Sequence, residues 1–237
     1  MLGPFDYLLW LVCLLIEGVA LACLIWSRSF TRYFTLALYL SVAIATGAGR
    51  YLILTSFGYT SSAYYYFYFS SDFLLTISMY FVLMSLYAHV FSDMGVGKYL
   101  RGGALLLLAG ATLISYRMVT VSSDLLLTRF VVELSRNLYF VGLLLIYLLW
   151  GAMIKMKENR TRLMQLVLSM GIFFSAFASS YALENLFPDF MLWRYVSHMM
   201  AIWLPLSWAY TFIRVAEDAR MDTLKVLAPE RASRPGS

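Results

Sequence analysis

Seven stretches of the chain are apolar almost without interruption: residues 7–26, 33–56, 65–91, 102–117, 130–153, 163–185 and 191–214. The hydrocarbon core of a bilayer needs about 20 such residues in a helix, so each stretch is read as a spanning helix. The fourth, GGALLLLAGATLISY, is short and must tilt little or borrow residues beyond Arg117. Seven spans are expected, with six as the alternative. The fold class is therefore all-α, a polytopic membrane helix bundle. Connections are short, as between antiparallel neighbours, so residues 1–215 form one transmembrane domain. Residues 216–237 form a tail, helical over AEDARMDTLKVL and disordered over APERASRPGS, whose Pro, Ser, Gly and charge content resists packing.

Composition strengthens this reading. The 237 residues are 62% hydrophobic and 13% charged, against roughly 25% charged in soluble domains. The net charge of +5 would point to nucleic acid only if basic residues shared a soluble face. Here they punctuate apolar runs, and no nucleic-acid partner is expected. Their distribution instead orients the chain. Arg28 and Arg32, Lys98 and Arg101, the group from Lys155 to Arg162, and the basic residues from Arg214 onward fall on one side. The opposite side and its helix ends hold Arg50, Arg117, Arg129, Arg136 and Arg194. The N-terminus is thus expected outside and the C-terminus in the cytoplasm. The start, MLGPFDYLLWLVCLLIEG, lacks a basic leader and carries Asp6 and Glu17, so it reads as the first span and not as a cleaved signal. Cys13 and Cys23 sit in that span about 15 Å apart on a helix, too far to bond to each other.

The run AYYYFYFSSDF, residues 63–73, opens the third span at the outer interface, where amphipathic rings are enriched. An aromatic belt explains its tyrosines but not Ser70, Ser71 and Asp72. Ionisable groups within spans are costly and point to function, and several share the outer third of the bilayer. They are Arg50, Asp72, Glu133, Arg136, Glu184, Arg194 and His198. Glu133 with Arg136, and Arg194 with His198, each share a helix face. Two readings stand open. The layer is either an outward polar pocket whose arginines grip a carboxylate or phosphate, or a salt-bridge network that fixes helix packing. Glu17 is the exception, mid-span in LLIEGVALA. A carboxyl there is expected to be protonated or partnered, either in a proton-linked or ligand site or in a bond to a neighbouring helix.

Gly47, Gly49, Gly102, Gly103, Gly110 and the run FSAFASSYA are expected where helices approach closely. Pro205 is expected to kink the last span. The thirteen methionines read as adaptable packing rather than a metal path. No cofactor is expected. Retinal needs a lysine within a late helix, and Lys98, Lys155, Lys157 and Lys225 all lie in loops or tail. His89 and His198 fall at opposite ends of the bundle, so a haem between two histidines is not expected. Nor is a zinc hydrolase, which needs about three converging ligands. Neither cysteine has a histidine near it in sequence to activate it.

The stretch YYYFYFSSDFLLTISMYFVLMSLYAHVF, followed by GKYLR, resembles a pattern in small uncharacterised bacterial seven-helix integral membrane proteins. The resemblance lies mainly in the third span. It implies a multi-pass protein of the bacterial inner (cytoplasmic) membrane and carries over no catalytic residue. The layout is also similar to seven-helix sensor input domains, which continue into a signalling module not expected here. The function expected is non-enzymatic and receptor-like or sensor-like, with an outward-facing polar pocket coupled to a membrane or cytoplasmic protein partner. An accessory or structural subunit of a larger complex is the alternative, and a small proton-linked transporter using Glu17 the third. An acid–base pair such as Asp72 with His198 is conceivable for an enzyme, which comes last because no motif supports it.

Overall fold

The computed structural model of the protein describes residues 4–92, 97–119, 126–156, 160–186 and 193–215; the expected tail lies outside them. Those residues form seven helices: α1 Pro4–Trp26, α2 Phe34–Phe57, α3 Ser62–Val90, α4 Gly97–Val119, α5 Leu126–Lys155, α6 Thr161–Leu186 and α7 Trp193–Arg214. Five of them contain segments long and apolar enough to cross a membrane: Tyr7–Trp26, Phe34–Phe57, Ser62–Val90, Arg129–Lys155 and Thr161–Leu183. The apolar part of α4, Leu105–Arg117, is shorter. The helix itself runs past that part at both ends, through a basic first turn and beyond Arg117.

Local chemistry explains several boundaries. α2 ends at Gly58, whose φ of 80° suits a residue without a Cβ and whose N–H closes onto Leu54. Three residues later Ser61 caps α3, its hydroxyl accepting the N–H of Tyr64 at 3.1 Å. A loop of four residues therefore reverses the chain. The turn from α1 to α2 places Arg28 in the left-handed region at φ 54°, a strain of order 1 kcal/mol that surrounding contacts must hold.

Six helices close a ring in the order α1, α2, α3, α5, α6, α7, with α7 returning against α1. α4 stands outside that ring, packed on α5 and more lightly on α3. The ring encloses the main core, built around Leu24, Leu36, Leu40, Leu83, Leu149, Leu166, Met170, Leu204 and Trp208. A smaller cluster of Tyr80, Ala111, Leu134 and Leu138 seals α4 to α3 and α5. Large apolar side chains also face outward, among them Leu105, Leu106, Leu113, Leu144 and Leu148. An aqueous surface would not favour them, whereas lipid tails do.

Close approach is decided by two kinds of glycine. A Cβ on Gly142 would lie 2.4 Å from the Phe174 ring, and one on Gly49 would lie 2.6 Å from Phe67. These glycines let α5 meet α6 and α2 meet α3. Gly47 is similarly tight against Leu14. Gly102, Gly103 and Gly110 have open space where their Cβ would be, so the expectation of close packing at α4 is corrected. α4 is the peripheral helix, and those glycines have no neighbour to admit. α7 continues as one helix through Pro205.

Hydroxyls within the helices are satisfied locally. Thr46, Thr76, Ser78, Thr112, Ser115, Ser169 and Thr211 each donate to a carbonyl one turn earlier. A few reach across. Thr76 and Ser135 meet at 3.1 Å between α3 and α5, and Asn137 donates to Ser115 at 2.9 Å between α5 and α4. Ser169 meets Ser207 between α6 and α7, and the Tyr87 hydroxyl donates to the Leu145 carbonyl. Such bonds, with small residues, hold helices together where lipid supplies no hydrophobic drive.

Candidate functional site

A cavity of about 110 Å³ opens in the middle of the ring. Its walls come from five helices: Glu17 of α1, Tyr39 and Leu40 of α2, Tyr139 of α5, Phe173 and Phe177 of α6, and Met200, Ala201, Leu204 and Pro205 of α7. These positions follow from helical spacing. Phe173 and Phe177 are four apart, as are Ala201 and Pro205, so each pair projects from one face at successive turns. The Tyr139 ring stacks on Phe177 with centroids 4.7 Å apart and planes 9° from parallel. Phe173 packs against both rings. Tyr39 is braced edge to face by the fully buried Trp208.

Glu17, singled out in the sequence for its mid-span position, thus lines a real space. The chemistry around it is polar at the tips and apolar at the walls. Tyr39 and Tyr139 bring hydroxyls. Pro205 has no N–H to offer the Ala201 carbonyl one turn before it, and both residues are among those that line the cavity. Arg50 is the cation that acts on Glu17 through space, though it does not line the cavity.

Arg50 is held elsewhere. Its Nε donates to Ser71 Oγ at 2.7 Å and an Nη to the Tyr68 carbonyl at 3.3 Å. Its guanidinium lies 4.4 Å from the Tyr68 ring centroid and 3.9 Å from the Asp72 carboxylate. Four interactions therefore seat α2 on the first turns of α3, and Ser70, Ser71 and Asp72 divide accordingly: Ser71 and Asp72 serve Arg50, while Ser70 faces outward. The aromatic run packs on itself beside them, Tyr64 against Tyr59 and Tyr68, and Tyr65 against Phe69.

Glu133 and Arg136 pair with each other along α5 at 3.9 Å, both partly exposed. Of the expected layer, the four residues whose side chains are described form two separate ion pairs, and none of the four is among the residues that line the cavity. Glu184 lies on α6, and Arg194 and His198 lie on α7; their side chains fall outside the described residues. The hydroxyls of Ser135 and Thr76 lie between Asp72 and Tyr139. Ser135 stands within reach of both the Asp72 carboxyl and Thr76, and Thr76 meets Tyr139, whose ring lines the cavity.

Sequence reasoning missed a second polar centre at the other end of the bundle. Arg162, counted as one of several loop cations, is only 5% exposed. It donates to Ser29 Oγ at 2.8 Å and to the Val215 carbonyl, and lies over the Phe212 ring. Tyr33 stacks on His89 at 5.3 Å and meets Phe212 edge on, while Arg160 donates to the His89 carbonyl at 3.2 Å. The α1–α2 turn and the ends of α3, α6 and α7 are tied there. The cue available was Ser29 beside aromatic Tyr33, but which arginine it meets is set by helix order.

No protein-family profile, curated protein or solved structure matches this chain. Among the described residues no group of three or more His, Cys, Asp or Glu side chains converges. The site is accordingly read from its own chemistry.

Proposed function

We propose that the protein is a non-enzymatic, receptor-like membrane protein that binds a small ligand in the cavity around Glu17 and signals through its cytoplasmic end. The observation that carries this reading is a carboxyl-bearing cavity at the junction of five helices, since a ligand there touches most of the ring at once. In this reading all seven helices cross the bacterial inner membrane, with the N-terminus outside and the C-terminus cytoplasmic. α7 links the two ends. Four of its residues line the cavity, and its last turn is held by Arg162. A ligand that shifts α7 therefore alters the cytoplasmic face offered to a partner protein. The outer charges support this division of labour, because Arg50 and Asp72 are engaged in seating α2 on α3.

A second reading, an accessory subunit of a larger membrane complex, is favoured by α4. It stands outside the ring with Leu105, Leu106, Leu113 and Ile114 exposed. Native mass spectrometry of tagged protein, gently extracted from its host membrane, separates the two. The receptor reading expects a lone chain carrying a discrete small-molecule adduct that disappears in Leu204→Trp, which fills the cavity. Other subunits at fixed ratio, with no adduct, would overturn it in favour of the accessory role.

A further inference from the structure

The walls of the cavity restrict what it can hold. Among the described residues that line it, Glu17 is the one carboxyl and there is no Lys, Arg or His. An ionised carboxylate inside an apolar bundle is costly unless a cation or a donor meets it. An anionic ligand would face repulsion there, and a hydrocarbon would leave the carboxyl unmet. Four of the ten lining residues are aromatic: Tyr39, Tyr139, Phe173 and Phe177. Aromatic rings gathered beside a carboxylate are the chemistry that holds organic ammonium ions, through ring quadrupoles and ion pairing together. Size sets the other limit. At about 110 Å³ the cavity is smaller than the roughly 150 Å³ that accepts benzene, so it suits a compact head group.

We infer that the cavity binds a small alkylammonium cation, with its positive centre against Glu17 and its alkyl groups among the rings of Tyr39, Tyr139, Phe173 and Phe177. This rests on reading the cavity as the ligand site, and goes further by naming the ligand's charge and shape. Arg50, the cation that acts on Glu17 through space, is itself bound to Ser71, Tyr68 and Asp72 and is not among the residues that line the cavity.

The test is thermal unfolding of the full chain in detergent with three probes of three heavy atoms each: dimethylammonium chloride, ethanol and sodium formate, each against sodium chloride at equal ionic strength. Dimethylammonium should raise the melting temperature in a saturable way, and the other two should not. Glu17→Gln should weaken its apparent affinity about tenfold or more, and Phe177→Leu, which keeps the carboxyl, by several-fold. Phe177→Leu serves as the deciding variant if Glu17→Gln fails to fold. If ethanol stabilises as well as the cation does, the ammonium assignment is wrong while the ligand cavity stands. If dimethylammonium leaves the melting temperature unchanged at up to tens of millimolar, or stabilises both variants like the parent, the inference is overturned. The cavity reading is judged separately, by the adduct and its loss in Leu204→Trp.

Discussion

Arg162 donates to the carbonyl of Val215, 3.0 Å from its Nε, and so closes the end of α7 with a side chain from the start of α6. The last carbonyls of a helix have no partner within it and carry partial negative charge. A planar guanidinium reaches that carbonyl, Ser29 and the Phe212 face together, which a lysine cannot. Arg162→Gln is expected to lower stability by about 3 kcal/mol, since it leaves buried acceptors unmet. Arg162→Lys should restore only part. Equilibrium unfolding in mixed detergent measures both, and a lysine variant as stable as the parent would show that charge alone matters.

The glycines divide into two classes that substitution should separate. Gly142→Ala drives a methyl into the buried Phe174 ring and should cost about 1–3 kcal/mol. Phe174→Leu in the same chain should recover part of that loss. Gly110→Ala meets open space and should be neutral or stabilising by up to about 1 kcal/mol through helix propensity. Equal losses at both positions would contradict the peripheral placement of α4.

Thr76 and Ser135 meet at 3.1 Å between α3 and α5, and both are buried. A double-mutant cycle with Thr76→Val and Ser135→Ala should return a coupling of about 0.6 kcal/mol, the scale of interhelical hydrogen bonds in membrane proteins. Strict additivity would mean that each hydroxyl serves its own helix alone.

Arg50 and Asp72 are expected to be unequal partners. Their ion pair is 3.9 Å long and the carboxylate is partly exposed, so Asp72→Asn should cost less than about 1 kcal/mol. Arg50→Ala also removes the bonds to Ser71 and Tyr68 and the contact with the Tyr68 ring, and should cost about 2 kcal/mol. Melting curves of the two variants decide this. A larger loss for Asp72→Asn would make the carboxylate the organising group.

The proposed orientation is open to labelling. With Cys13 and Cys23 replaced by serine, a cysteine at Tyr59 in the α2–α3 loop should react with an impermeant maleimide on intact spheroplasts. One at Lys155 should react only after lysis. The reverse pattern would invert the topology.

Much of this protein is legible in its sequence because apolar runs and helix geometry are local properties. The all-helical class follows from counting residues, which expects seven spans where five helices are long and apolar enough to cross a membrane, and the turn at Gly58 and Ser61 is written in residue types whose backbone preferences need no neighbour. Glu17 and Arg50 are conspicuous for the same reason, as ionisable residues within apolar runs. Partnership is another matter. That Arg50 engages Asp72 and Ser71, that Arg162 is buried, and that Glu17 lines one cavity with Tyr39, Tyr139 and Phe177 all depend on which helices are neighbours. Lipid-facing and core-facing positions are equally apolar in a membrane bundle, so the usual amphipathic stripe is weak and helix order leaves little trace in any one span. The sequence by itself determined the helices and where their costly residues lie. Only the tertiary structure, by leaving α4 outside a ring of six, decided that Glu17 lines a cavity while Arg50 and Asp72 pair with each other.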